Sequence, residues 1–468
     1  MSTKVLVTYG VALGICLSVC ALPVWSAQDT KAEGINISPS TSTPTPLVSR
    51  SISEAEALEL ALHYNPRLDA FAHATQARTH IVRQAGRLPN PELELVLEDF
   101  GGSGAYSGSS NAETSLIVHQ RLELGGKGKR RVAVAQADAQ LTQQQLTAFT
   151  AELRALVRER YVDVMAAQQR LDMAQQQLEL CHTMLNMVTE RITTGKSATM
   201  EQAAFLMQRD EARLRVQQVQ HQLRSSQNSL AALWGQYPAD VTLVGAALAT
   251  LPSVPNQAES VDAVEPDWAA DLPHSLSHST DSPELSLART KVQRATQELR
   301  LQQAGRIPDL TLSFGAKQDE VSNDHALIAG VSIEIPLFDR NQDGVAAARA
   351  RKGEAEALAR TVMLQQRNLL QQGWYAFQSA RREAEVLRAD LLPAAQQNFE
   401  RIKYAYQAGK YPYQRVLDAQ QSLFVMQNRC IDSLASAHKA HIALERLLGT
   451  ELPKESTTDT AATYRGEA

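Results

Sequence analysis

The sequence predicts a mainly α-helical protein with a small β part, in which one unit of helix, two strands, very long helix and long helix occurs twice in tandem. Two observations predict the duplication. The segment Gln84-Ala-Gly-Arg-Leu-Pro89 returns almost unchanged as Gln303-Ala-Gly-Arg-Ile-Pro308, and a helical pattern is interrupted by a Gly-Lys pair at both Gly195 and Gly409. A third observation predicts the long helix. Residues 129–193 contain neither glycine nor proline, and at about 1.5 Å per residue they would span on the order of 100 Å.

The N-terminus has the pattern of a secretory signal rather than of a membrane anchor. Lys4 precedes an uncharged apolar run that ends at Cys20, and polar sequence follows at once. We expect a signal peptide over residues 1–27. A disordered linker over 28–50 is expected next, because this segment is rich in Ser, Thr and Pro. The valine before Cys20 stands where a lipoprotein signal has a small residue, which disfavours lipidation.

Composition excludes several classes of function. A net charge of −5 over 468 residues gives no basis for nucleic-acid binding. No stretch after the signal has the roughly 20 consecutive apolar residues of a transmembrane helix. Cys181 and Cys430 stand at different places in the two units, so we expect free thiols rather than a disulfide. We find no nucleophile paired with a base, no phosphate loop and no metal-ligand set, and therefore expect neither an enzyme nor a bound cofactor.

The first unit is predicted over residues 51–235. In two segments, at about 91–100 and 115–124, the helical period of 3.6 gives way to a period of 2, and in the first of them leucines alternate with glutamates. A helical hairpin follows over 128–234, and its apolar residues step by three and four as in a coiled coil. Cys181 lies in this apolar seam, where we expect it to be a small core residue.

The second unit has the same order of elements. It is predicted over residues 283–450, with strands at about 309–318 and 326–336 and a helical hairpin over 344–448. Pro393 is expected to kink the first helix of this hairpin, because proline removes a helix hydrogen bond. Residues 236–282, between the units, are predicted to be a linker, and the polar tail over 451–468 is predicted to be disordered.

The four strands allow two interpretations from pattern alone. Each has an apolar side and a more polar side, and polar loops join them, which fits membrane β-strands of about 9–11 residues. The alternative is an ordinary half-buried hairpin. The membrane interpretation has a consequence for assembly, because an open sheet edge in lipid leaves backbone groups unpaired at a cost of several kcal/mol each.

Four strands per chain cannot close a barrel, so the barrel must be shared between copies. Two copies give eight strands, whose interior is filled by side chains, whereas three copies give twelve, which can enclose a lumen. The long helices likewise need neighbouring helices to bury a second face. We therefore predict a homotrimeric 12-stranded outer-membrane β-barrel that is continued by a periplasmic α-helical coiled-coil tunnel.

Several motifs occur together in the folded region, about residues 51–450. They are the duplicated Gln-Ala-Gly-Arg-Leu/Ile-Pro, Leu122-Glu-Leu-Gly-Gly-Lys-Gly-Lys-Arg-Arg131, Ile335-Pro-Leu-Phe-Asp-Arg-Asn-Gln342, Leu391-Leu-Pro393, and Gly409 followed by Val416-Leu-Asp-Ala419. Together they resemble the TolC-type outer-membrane efflux proteins. The Glu-Leu-Gly-Gly-Lys and Pro-Leu-Phe-Asp-Arg-Asn-Gln segments are most similar to the heavy-metal branch, which serves cobalt-zinc-cadmium or copper-silver exporters.

The resemblance implies a passive, gated conduit in the outer membrane of a Gram-negative bacterium, with a large periplasmic part. The implied partners are two further copies of the chain, a periplasmic adaptor (a membrane fusion protein), an inner-membrane pump of the RND type, and outer-membrane lipid. No nucleic acid is expected. Energy is spent at the pump, and heavy-metal cations are the substrates that this branch implies.

The resemblance also places the two glycine turns at the periplasmic tip, where the tunnel narrows and the adaptor docks. Gly195, Gly409 and Arg191 are the residues expected at this docking surface. The alternative for each glycine is a helix terminator in the left-handed conformation, and the two roles are compatible.

Four further residues match positions at the constriction of the family. Asp418 matches an acidic position that rings the pore, where three carboxylates would attract cations. The alternative is a solvated charge paired with Arg415, three residues earlier. Arg415 itself replaces a second acidic residue, so the double acidic ring of the family is incomplete here. Glu201 matches an acidic residue that helps to hold the tip closed, and Tyr406 matches a gating tyrosine.

Two other functions stay open at this point. One is the outer-membrane exit duct of a type I protein secretion system, which shares the fold. The other is a periplasmic coiled-coil scaffold or adaptor that does not enter the membrane. The two isolated hairpins between helices disfavour the scaffold, because an adaptor usually has compact β-domains.

Overall fold

A computed structural model describes residues 50–109, 111–195, 198–236, 241–243, 248, 251–252, 282–320 and 322–449. Several predicted segments lie wholly or largely outside these ranges. They are the signal peptide (1–27), the linker after it (28–50), the linker between the units (236–282) and the tail (451–468).

The helices follow the duplicated order that the sequence predicts. They are α1 (Glu54–Tyr64), α2 (Pro66–Ala85), α3 (Lys127–Thr193), α4 (Thr199–Ala231), α5 (Pro283–Ala304), α6 (Gln342–Val386), α7 (Leu392–Gln407) and α8 (Tyr413–Leu448). The longest, α3, runs for 67 residues without a break, as the absence of glycine and proline over 129–193 predicts. Among the described helices, none combines the length and the apolar character needed to cross a membrane.

Local sequence sets where the first helices begin. Ser53 and Glu56 form a reciprocal capping box at α1, in which the Glu56 amide donates to Ser53 Oγ at 3.2 Å and the Ser53 amide donates to Glu56 Oε2 at 2.9 Å. Asn65 caps α2 by accepting a hydrogen bond from the Arg67 amide at 3.0 Å. Pro66 takes the first position of α2, where its missing N–H costs nothing.

The strands form two sheets. They are β1 (Arg50–Ile52), β2 (Glu92–Glu98), β3 (Glu113–Leu122), β4 (Val241–Leu243), β5 (Leu310–Asp319) and β6 (His325–Ile333). The short strands β1 and β4 pair in parallel, and the other four form an antiparallel sheet in the order β2-β3-β5-β6. Within the described chain, the outer sides of β2 and β6 have no partner strand, so this sheet has two open edges.

The two faces of the four-stranded sheet differ in polarity. In the strand register, Leu93 lies opposite Val118 and Val118 lies opposite Phe314, so all three share one face. This face is exposed, with Leu93 70% and Phe314 60% accessible. The opposite face carries hydroxyl and charged side chains, among them Ser313 and Lys317. An exposed apolar face of this extent is unusual for a protein surface in water.

The helices beside the sheet continue its strand order. The β2–β3 and β5–β6 turns lie at one end of the sheet. At the other end the four strands connect to α2, α3, α5 and α6, one helix to each strand. These helices pack side by side in that same sequence, α2 on α3, α3 on α5 and α5 on α6. Each strand is therefore extended by one helix. At the junction, Lys127 Nζ lies 2.7 Å from Asp309, and Arg131 lies 2.6 Å from Glu123.

Farther from the sheet, α3 packs against α4 on one side and α8 on the other, and α8 packs against α6 and α7. The seam of α3 is apolar, as predicted, and Ala174, Cys181 and Val188 are buried at intervals of seven residues. Trp374 is buried in an apolar cluster between α6 and α8. Cys181 and Cys430 are buried free thiols, as expected.

The interruption predicted near Pro393 is a π-helical turn. Residues Leu387–Leu391 form this turn between α6 and α7, and Pro393 lies in the first turn of α7. Proline lacks an N–H, and its ring clashes with the carbonyl four residues earlier, so a regular α-helical turn cannot continue there. The wider π turn accommodates the proline, and the backbone stays helical from α6 into α7.

Ion pairs join α3 to α8 along their antiparallel contact. The pairs are Arg158 with Glu445, Asp163 with Lys439, and Arg170 with Asp432. The Arg158–Glu445 pair is largely buried. It also reaches a third element, because Arg158 Nε donates to Glu54 Oε1 of α1 at 2.7 Å. Burial alone lowers the pKa of Arg158, but the carboxylates of Glu445 and Glu54 outweigh this effect and raise the pKa.

Candidate functional site at the hairpin tips

The two helical hairpins end in glycine turns that have the same conformation. Gly195 follows α3 with φ +68°, and Gly409 follows α7 with φ +73°. In this left-handed region a Cβ comes too close to the adjacent carbonyl of its own backbone, which strongly favours glycine at both turns. The helix-terminator role predicted for both glycines is therefore present. A Cβ at either position would meet nothing within 4 Å, so both turns are open on the outside.

Arg191 joins the two hairpins. From the last turn of α3 its Nη1 donates to the backbone carbonyls of Tyr406 and Gln407, at 3.0 Å each. Both carbonyls belong to the last turn of α7, where helical partners run out, although the Tyr406 carbonyl also accepts from the Gly409 amide at 2.9 Å. The guanidinium carbon also lies 4.8 Å from the centre of the Tyr406 ring, in a cation–π contact. Arg191, in the first hairpin, thus caps the last turn of α7 in the second hairpin.

Tyr406 and Glu201 complete this contact. The Tyr406 hydroxyl donates to Glu201 Oε2 at 3.0 Å, which joins α7 to the first turn of α4. Tyr406 is only 2% exposed, so its hydroxyl has exchanged water for the carboxylate. We call Arg191, Tyr406 and Glu201 the tip network. The resemblance matched Tyr406 and Glu201 to separate family positions, and the structure brings them into direct contact.

The tip network rests on an apolar core between the hairpins. The buried members of this core are Met184, Val188, Phe205, Phe399, Tyr406, Val416, Ala419 and Leu423. They come from α3, α4, α7 and α8, so the two hairpins bury one common surface here. Separation of the hairpins would expose these side chains to water, so their burial holds the two hairpins together.

Asp418 and Arg415 stand apart from the tip network. Both lie in the first turns of α8, and both side chains are exposed. Among the described residues, neither is within ion-pair distance of an opposite charge, so the alternative of an Arg415–Asp418 pair is not present. Val416 and Ala419, next to them in sequence, are buried in the core. Asp418 is therefore held on a fixed helix but directed away from the interior of its own chain.

The sequence did not predict a buried polar contact that the structure shows between α8 and α3, two residues after Asp418. Gln420 Nε2 donates to Cys181 Sγ at 3.3 Å, and both residues are almost completely buried between α3 and α8. The amide oxygen of Gln420 has no hydrogen-bond partner among the described residues. A buried unpaired acceptor of this kind costs about 1–3 kcal/mol. Gln420 is thus a weak point in the apolar contact between the hairpins.

Burial raises the pKa of the Cys181 thiol, and the hydrogen bond from Gln420 offsets this only in part. Burial also raises the pKa of Cys430. Because the thiolate is the reactive form, both thiols should react with a disulfide reagent at neutral pH much more slowly in the folded protein than in guanidinium chloride. The reaction rate can be measured from the absorbance of the thiolate that an aromatic disulfide reagent releases over time. Fast labelling of Cys181 without denaturant would contradict a closed seam between α3 and α8.

Comparison with known proteins matches both units of the chain. The family model described as outer membrane efflux protein matches residues 57–236 and 279–450. The chain is 30% identical over 396 residues to the cobalt-zinc-cadmium resistance protein CzcC of Cupriavidus metallidurans, covering 84% of this chain and 89% of that protein. It is 26% identical over 328 residues to the nickel-cobalt-cadmium resistance protein NccC of Alcaligenes xylosoxydans xylosoxydans, covering 67% of this chain and 69% of that protein.

Solved structures share the fold. The chain aligns with a crystal structure of CusC with a TM-score of 0.70 at 20% identity, covering 85% of this chain and 92% of CusC. It aligns with the outer membrane protein VceC from Vibrio cholerae with a TM-score of 0.67 at 19% identity, covering 86% of this chain and 97% of VceC. The family predicted from the motifs is confirmed, together with its similarity to heavy-metal resistance proteins. This chain belongs to the outer membrane efflux protein family.

Proposed function

We propose that this protein is the outer-membrane channel of a tripartite efflux system and acts as a passive, gated conduit. The observation that carries the proposal is the sheet β2-β3-β5-β6, with one exposed apolar face, one polar face and two open edges within the described chain. In lipid, the apolar face is the outer surface that a membrane strand requires, and the polar face lines a lumen.

Three copies would complete the barrel. If β6 of each copy pairs with β2 of the next, twelve strands close with no free edge, and every backbone group in the lipid is paired. The helices α2, α3, α5 and α6 continue the strands in the same order, so closure of the strands also aligns the helices into a ring. The trimer thus forms one tube through the membrane and into the periplasm.

The tip network would hold the far end of this tube closed. It joins α3 and α4 to α7, so the second hairpin cannot move outward until the contacts of Arg191 and Tyr406 break. The open outer sides of the turns at Gly195 and Gly409 would admit close approach by the periplasmic adaptor. The adaptor would in turn connect the tube to an RND pump in the inner membrane, which supplies the energy.

Heavy-metal cations are the proposed substrates, since relatives such as CzcC are named for resistance to cobalt, zinc and cadmium. The exposed carboxylate of Asp418 fits this charge. Three copies around the tube axis would form an acidic ring that favours cations over anions. Arg415, one helical turn earlier, would reduce the negative potential of that ring.

Conductance measurements on the purified protein in a planar bilayer test this proposal. We expect a mass of three chains in detergent and cation-selective conductance steps. Asp418→Asn should move the reversal potential in a KCl gradient towards zero, because it removes the charge of the ring, whereas Arg415→Gln should move it in the cation-selective direction. Asp210→Asn, an exposed acid on α4, is the matched control and should change nothing. A water-soluble monomer without conductance would refute the channel.

A further inference from the structure

Three side chains meet on the polar face of the sheet, on neighbouring strands. His119 of β3 has Nε2 2.6 Å from Glu94 Oε2 on β2, and Nδ1 2.9 Å from Ser313 Oγ on β5. The strand register produces these contacts. Ser313 lies directly opposite His119 on β5, and Glu94 lies two residues after Glu92, the residue opposite His119 on β2, and therefore on the same face. The imidazole is thereby held at both ring nitrogens, and its Nε2 is directed at a carboxylate.

The basic side chains of the same face are paired with other carboxylates. The pairs are Lys317 with Glu113 (2.6 Å) and Arg121 with Asp309 (3.3 Å). Neither of these two bases pairs with Glu94. A second carboxylate, that of Glu92, lies on the same face two residues earlier on β2. The surroundings of His119 are therefore negative, and a negative wall of low dielectric concentrates cations beside it.

This arrangement has the ligand chemistry of a site for a divalent transition-metal ion. Imidazole nitrogen and carboxylate oxygen are ligands that Zn²⁺ accepts, and metal-binding histidines are oriented by a hydrogen bond at the second ring nitrogen, which Ser313 makes here. Bonds of about 2.0–2.2 Å to one ion require the two ligand atoms to separate slightly. The Glu94 side chain is 52% exposed and has room for that movement.

We propose that His119 and Glu94 bind a divalent transition-metal cation from the lumen, as a transit site for exported metal. The proposal rests on the proposed function, because only the closed trimer makes the polar face a lumen wall and sets three such sites around it. With two protein ligands and water completing the shell, the ion is bound weakly enough to leave, as conduction requires. The ion is cargo rather than a resident cofactor.

Two readouts on the full chain test this transit site. In planar bilayers, we expect Zn²⁺ to reduce the conductance of the wild type in a saturable manner. In detergent, we expect the absorption spectrum of added Co²⁺ to show nitrogen and oxygen ligation. His119→Ala and Glu94→Gln should abolish both effects, and Ser313→Ala should weaken them about tenfold, because the ring loses its orientation. Glu98→Gln removes the same charge from the same face of β2 and is the matched control.

The outcomes separate this site from the channel itself. Saturable Zn²⁺ block that survives in His119→Ala, or an equal loss in Glu98→Gln, would overturn the site. A wild type that conducts but responds neither to Zn²⁺ nor to Co²⁺ would overturn the site and leave the channel standing. A wild type that is a water-soluble monomer without conductance, but whose Co²⁺ spectrum is lost in His119→Ala, would support metal binding by these residues, refute the channel and overturn the transit role.

Discussion

Arg191→Ala is expected to open the tip and to raise the conductance of the reconstituted protein several-fold. The change removes the two hydrogen bonds that a charged donor makes to the carbonyls of Tyr406 and Gln407, and it removes one cation–π contact. Because the site is partly exposed, we expect the closed state to lose about 2 kcal/mol of stabilisation. Such a loss shifts the closed-to-open equilibrium about 30-fold. Single-channel recording of open probability measures the shift.

Two variants separate the charge of Arg191 from its geometry. Lysine at this position keeps the charge but lacks the planar fork of donors, so Arg191→Lys should give an intermediate open probability. Tyr406→Phe removes the hydrogen bond to Glu201 but keeps the aromatic ring beside Arg191, so it should have a smaller effect than Arg191→Ala. Arg213→Ala, on the exposed side of α4 and away from the tip network, is the control for the loss of one positive charge. If Arg191→Ala and Arg213→Ala conduct alike, the tip network does not hold the tube closed.

Glu445→Ala should lower the free energy of unfolding by about 3–5 kcal/mol, the largest stability effect that we expect from a single substitution. Glu445 is 6% exposed and accepts a hydrogen bond from Arg158, which also binds Glu54. Removal of Glu445 leaves a largely buried guanidinium with half of its partners. Thermal unfolding in detergent, followed by circular dichroism, should show a lower midpoint with unchanged helix content at 25 °C.

The double variant Arg158→Met/Glu445→Leu tests the cause of this loss. If the loss comes from an orphaned buried charge, replacing both partners by apolar side chains should recover most of the stability. Glu356→Gln breaks the exposed Lys352–Glu356 pair on α6 and should cost less than about 1 kcal/mol. A midpoint for Glu445→Ala that equals that of Glu356→Gln would show that the buried cluster contributes little.

The architecture could be predicted from the sequence because its signals are local and periodic. Leucines that alternate with glutamates over Glu92–Glu98 predict a strand with one apolar face, and the structure shows that strand. The uninterrupted run before Gly195 predicts the very long helix, because only glycine or proline would break it. The family motifs pointed to Glu201 and Tyr406 at the tip.

Contacts between distant elements needed the tertiary structure. Periodicity tells which side of a strand or helix a residue occupies, but it does not tell which residue of another element lies opposite. Arg191 and the Tyr406 carbonyl are 215 residues apart in the chain, and Arg158 and Glu445 are 287 apart. Their contacts depend on how far one helix is shifted along another.

The sequence by itself therefore determined the duplicated unit, the kinds of elements, the polarity of their faces and the family. Only the tertiary structure decided which side chains meet. His119 could be assigned to the polar face of its strand by alternation, yet its contacts with Glu94 and Ser313 come from the register of three strands. The physical reason is that a one-residue change of register moves a side chain to another partner or to another face, while the local pattern stays the same.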